Sequence, residues 1–231
     1  MAVSTPRAQT PPTLTDPPPR RDLWPGIAGI TGIASGVLML VGLLVSYANS
    51  PDYTDEDGLR ETVASYRDDS NLDLTEAMTL VMPAGSLLFL WFLSALARRV
   101  GSRSQVVLSS GIVFVVLTMV ATITSGIYAV SALNTDTCEV GPGTAMVVML
   151  LMDVAYAGFI AAMAAAAVLL FAVRPAGVTT HAVPAWLGWS GFVIAVLCCA
   201  SPFTAWLTVL LMALWTIAAG VVRMVRPPVG E

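Results

Sequence analysis

The sequence predicts an all-α, polytopic membrane protein: a bundle of about six transmembrane helices with a short amphipathic helix in its first outer loop. Three observations carry this. Hydrophobic residues make up 56% of the 231-residue chain and charged residues only 11%, against roughly 25% charged in a soluble domain. The apolar residues fall into long uninterrupted runs. The basic and acidic residues alternate between the loops that join those runs.

Residues 1–22 are polar and rich in Pro (Pro6, Pro11, Pro12, Pro17, Pro18 and Pro19). They are expected to form a disordered cytoplasmic tail, because they cannot bury a core. Apolar stretches follow near 24–47, 76–97, 105–132, 144–172, 185–202 and 204–224. Each is close to the ~20 residues needed to cross a hydrocarbon core of about 30 Å. A lipid-exposed backbone must satisfy its own hydrogen bonds, so each is expected to be a helix. The alternating pattern of a membrane β-barrel is absent. The membrane domain then covers 23–226, with an outer loop at 48–75 and a cytoplasmic tail at 227–231. Only Ser201-Pro202-Phe203 separates the last two stretches. They are expected to form a tight hairpin, or a re-entrant pair if neither crosses fully.

The basic residues set the orientation. There is no Lys, so all 11 basic residues are Arg. With the N-terminus inside, Arg7, Arg20, Arg21, Arg98, Arg99, Arg103, Arg174, Arg223 and Arg226 are cytoplasmic, as the positive-inside rule requires. Arg60 and Arg67 fall outside, together with most of the acidic residues, from Asp52 through Glu76 and at Asp136 and Glu139. Trp24, Trp186 and Trp189 then lie at the inner interface. The start Arg20-Arg21-Asp22-Leu23-Trp24 faintly resembles a twin-Arg export signal. The apolar run behind it is longer than the 7–15 residues such a signal carries.

In the outer loop, Leu59, Val63 and Tyr66 share one helical face, which predicts a surface helix over 55–68. Glu56 and Arg60 pair at i, i+4 on its wet side. The acidic run Asp52–Gly58 fails as a calcium loop. Aligned on Gly58, its first and twelfth positions are Tyr53 and Ala64, where carboxylates are needed.

Asp153 is the only acidic residue inside an expected span. A carboxylate at that depth should face the bundle interior or water. A rise of 1.5 Å per residue places Thr122, Ser125 and Ser86 at its level. Tyr156 lies one turn deeper, and Pro83 and Gly85 are expected to interrupt the second span nearby and free carbonyls. These residues form the candidate intramembrane polar cluster, either as a proton or cation relay or as neutral helix-to-helix glue. Cys138, Cys198 and Cys199 all fall near the outer face, where a disulfide from Cys138 to one of the other two is geometrically possible. The alternative is three free thiols. Gly26, Gly29, Gly32 and Gly36 are expected to place small residues along one side of the first helix, and Gly158-x-x-x-Ala162 does so on the fourth, as in close helix packing.

Three stretches resemble a family of six-span membrane proteins from high-GC bacteria: Leu88–Leu93 running into Arg98-Arg99, Met152-Asp153-Val154-Ala155-Tyr156, and Pro184–Trp189. The resemblance covers roughly 24–223. It implies a six-helix bundle in a bacterial plasma membrane and carries no established activity.

The functional expectation is correspondingly coarse. No phosphate-binding loop, zinc-protease helix or nucleophile elbow occurs, and His181 stands alone in a loop. No catalytic set, cofactor or metal site can be assembled, which points away from an enzyme. The Arg are spread over several loops, so no nucleic-acid patch is expected. The partners expected are the lipid bilayer and other membrane proteins or a second copy. The leading reading is an accessory or interaction subunit of an envelope complex. The alternatives are a small transporter or proton-coupled channel using Asp153, and an intramembrane lipid-modifying enzyme.

Overall fold

The computed structural model describes residues 24–49, 63–64, 68–100, 103–134, 142–180 and 184–225. The tail 1–22, most of the surface helix expected over 55–68, the calcium-like run, Cys138, His181 and the tail 227–231 lie outside the described residues. Six helices are delimited among the described residues: α1 (Trp24–Asn49), α2 (Asp69–Ala97), α3 (Ser104–Asn134), α4 (Pro142–Thr180), α5 (Ala185–Cys199) and α6 (Ser201–Val225). All but α5 are long and apolar enough to cross a membrane. The chain is a membrane-embedded helical bundle.

The ends of the helices differ from the sequence expectation for local reasons. α2 starts at Asp69 rather than near 76, because Asp68 caps it. The Asp68 carboxylate accepts from the Ser70 amide at 3.0 Å and from the Ser70 hydroxyl at 2.7 Å. The acidic first turns then complement the positive end of the helix dipole. α4 continues to Thr180, beyond the expected 172. The break between α5 and α6 falls at Ala200, not across Ser201-Pro202-Phe203. Pro202 sits in the first turn of α6, where no helix hydrogen bond needs its missing N–H. α5 has 15 residues, about 22 Å at 1.5 Å per residue, against about 30 Å of hydrocarbon.

Each helix packs beside the next, and the ring closes where α6 returns to α1; α6 also touches α4. The centre is filled by side chains. Phe89, Phe92 and Leu93 of α2 meet Phe114 of α3, Met163, Leu169 and Leu170 of α4, and Met212 of α6. Phe89 and Phe114 pack edge-to-face with centroids 5.4 Å apart.

Small residues let the seams close, as expected, but they do not share one face. Gly29 and Gly36 meet α6, whereas Gly32 meets Phe92 of α2, and a side chain at Gly26 would meet nothing within 4 Å. α1 is wedged between two neighbours, so its glycines are divided between them. Gly158 packs on Ala121 of α3, and Ala162 is buried.

Hydrogen bonds also cross between helices. The buried Ser35 hydroxyl of α1 donates to the Gly85 carbonyl of α2 at 2.8 Å. The Trp215 indole N–H of α6 donates to the Leu187 carbonyl of α5 at 3.1 Å. The expected interruption of the second span is corrected here. α2 runs unbroken through Pro83, since neighbouring helices within a bundle tolerate and support an interior proline.

Candidate functional site

The packing contacts fix how the middle helices align. Gly126 of α3 lies against Thr79 of α2, and Gly111 against Leu93. In antiparallel register this puts Ser86 level with Thr118. Gly158 of α4 against Ala121 of α3 puts Asp153 level with Gly126, next to Ser125. On α2, Thr79 rather than Ser86 is therefore level with Asp153, and Ser86 lies about 10 Å deeper; only the expected depth of Ser125, and within about one turn that of Thr122, agrees with the register.

The rotation about the helix axis does not. Ser86 is fully buried, and its hydroxyl donates to the Met82 carbonyl at 2.9 Å. Thr122 is buried and donates to the Thr118 carbonyl, also at 2.9 Å. Half-buried Ser125 donates to the Thr122 carbonyl. Thr118 is buried as well, and its hydroxyl has no hydrogen-bond partner among the described residues. These groups form a narrow polar strip between α2 and α3.

Asp153 is not part of it. Asp153 is exposed on the outer surface of the bundle, and Tyr156 is 48% exposed. Of the two expected surroundings, bundle interior or water, this placement rules out the interior. The reason is helical geometry. Ala155, two residues on, is buried against the bundle, and two residues turn a helix by about 200°, so Asp153 points away.

The face that carries Asp153 is distinctive. Met146, Leu150, Asp153, Ala157, Ala161, Ala164 and Val168 recur at three- and four-residue intervals and are all exposed. The stripe is large and apolar above Asp153 and all Ala over two turns below it. Its spacing is present in the sequence, but nothing there says that this face, rather than the Gly158–Ala162 face, is the free one.

No family model, curated protein or solved structure matches this chain. The resemblance to a bacterial six-span family therefore rests on its three short stretches alone.

The two ends of the bundle differ in charge. Arg98, Arg99, Arg103, Arg174 and Arg223 all belong to the end where α2, α4 and α6 finish and α3 begins; Asp68, Asp69, Asp73 and Glu76 belong to the other. Arg174 is held by aromatic rings of α5. Its guanidinium carbon lies 4.0 Å from the Trp189 ring centroid and 4.4 Å from that of Phe192. Phe171 of α4 packs edge-on to Phe192 at 5.5 Å. This fastens the short α5 to α4. Trp189→Ala should lower the unfolding midpoint in detergent, with a loss of about 1–2 kcal/mol. The matching double variant with Arg174→Gln should lose little more than either single variant.

The cysteines of α5 are free thiols, Cys198 buried and Cys199 exposed. Among the described residues no group of three or more His, Cys, Asp or Glu could hold a metal ion.

Proposed function

We propose that this protein is an interaction subunit, which binds another membrane protein through the outer face of α4. The observation that carries the reading is Asp153, a carboxylate on the outside of the bundle at membrane depth. It lies about 17 Å along α4 from Pro142 at 1.5 Å per residue. A carboxylate facing hydrocarbon is unfavourable by several kcal/mol unless something pairs with it. A partner helix bearing Arg, Lys or a hydrogen-bond donor at that depth removes the penalty. Ala157, Ala161 and Ala164 allow that helix to approach closely.

A different chain fits better than a second copy. A two-fold dimer through this face would bring the same patches together, with Asp153 near Asp153, and like charges oppose that. A proton relay within the bundle is less well supported, because Asp153 and the strip of Ser86, Thr118 and Thr122 lie on different sides of the helices.

The charge asymmetry supports cytoplasmic placement of both termini, and the family resemblance supports a bacterial plasma membrane. In a background lacking the native cysteines, a thiol at residue 65 should react with an impermeant reagent from outside intact cells. Reaction only after lysis would reverse the topology.

The deciding experiment is purification of the tagged chain from its native membrane in a mild detergent, with co-purifying proteins identified by mass spectrometry. A stoichiometric membrane partner is expected. A lone chain or a homo-oligomer would overturn the reading.

A further inference from the structure

At the basic end, Arg223 is in an unusual position. It lies in the last turn of α6 and is half-buried. Its Nε is shielded from solvent and has no hydrogen-bond partner among the described residues. A buried guanidinium N–H without an acceptor is strongly disfavoured. Arg99 belongs to the same end of the bundle and acts on Arg223 as a like charge, so it offers no acceptor. Arg99 is itself half-buried and fixed by the turn after α2, where its amide donates to the Leu96 carbonyl at 3.0 Å and Val100 packs into the core.

All described carboxylates other than Asp153 sit at the opposite end of the bundle. The C-termini of α2 and α6 direct partial negative charge toward the two arginines, but they supply no formal anion. Two half-buried arginines share this end of the bundle without a described protein counter-ion.

We propose that Arg99 and Arg223 together bind an anionic phosphate, supplied by a phospholipid headgroup at the membrane interface. A phosphodiester carries one negative charge and two free oxygens, one for each guanidinium fork. The depth is right, because the last membrane-spanning stretch runs from Leu207 to Val225 and Arg223 lies near its end. Basic pockets between helices at the interface are suited to anionic headgroups.

The test uses the full-length protein purified in detergent and titrated separately with phosphatidylglycerol, phosphatidylcholine and inorganic phosphate. Bound lipid is read by native mass spectrometry and stability by the unfolding midpoint. Phosphatidylglycerol should remain bound and raise the midpoint, and phosphatidylcholine should do so far less. An equal rise with inorganic phosphate would reassign the source from a lipid to a free anion at the same site. Arg223→Gln and Arg99→Gln should each weaken phosphatidylglycerol binding about tenfold, the loss expected for one charged hydrogen-bonding partner. If Arg223→Gln does not fold, Arg223→Lys, which keeps the charge and loses the fork, carries the test together with Arg99→Gln. Arg103→Gln is the control, since Arg103 is exposed at the same end. Equal loss in that control, or equal binding of the two lipids, would overturn the proposal in favour of diffuse surface charge.

Discussion

Asp153→Leu should release the partner while leaving the bundle at least as stable as before. The side chain lies on the outside of α4, so replacing it removes no internal packing. A surface change of this kind moves stability by about 0.5 kcal/mol or less, and a lipid-facing Leu favours the folded bundle. The complex behaves differently. Removing one side of a desolvated charge pair typically weakens association by about 2–5 kcal/mol, roughly 30-fold or more. Asp153→Asn separates two kinds of partner group. It should lose most of the association if the partner presents Arg or Lys, and little if it presents a hydroxyl or amide. The measurement is the yield of partner retained on the tagged chain, alongside the unfolding midpoint of the chain alone. A lower midpoint in Asp153→Leu with the partner still retained would mean that the carboxylate stabilises the bundle itself, and the docking reading would fail.

The second large effect is expected at the seam between α1 and α6. A Cβ on Gly220 would fall 2.8 Å from the Gly29 carbonyl oxygen and 2.9 Å from the Ile33 amide nitrogen. Both are backbone atoms, so no side chain can swing aside to make room. Gly220→Val should force the helices apart and destabilise the bundle by about 1–3 kcal/mol, opening the closure of the ring. Gly26 provides the contrast, since it lies on the same helix as Gly29 and has nothing within 4 Å. Gly26→Ala should be neutral or stabilising by up to about 1 kcal/mol, from helix propensity alone. Thermal unfolding of the two variants in one detergent decides the matter. Equal effects would show that α1 and α6 do not meet as described.

Several features of the fold were legible in the sequence because they depend on length. Six helices follow from six apolar runs, although α5, at 15 residues, is shorter than the expected 185–202. Helix ends were less legible. The start of α2 depends on the Asp68 cap, which hydropathy does not register, and the α5–α6 break depends on Pro202 entering the next helix rather than ending the last. Close packing at Gly32, Gly36 and Gly158 was readable as a tendency, but the neighbour each glycine meets was not.

The candidate site shows the same division. The sequence by itself determined that the chain is a membrane-embedded helical bundle, that its two ends carry opposite charge, and that Asp153 lies near the depth of Ser125 and Thr122. Length, charge order and a fixed rise per residue suffice for all three. Only the tertiary structure decided that Asp153 points outward while Ser86 and Thr122 point inward, and that the Arg223 Nε is shielded without an acceptor among the described residues. A soluble helix announces its buried face by contrast with a polar one. In a bilayer the surroundings are as apolar as the core, so the rotation of each helix leaves little trace in hydrophobic periodicity. It is set by which small and large side chains fit against their neighbours.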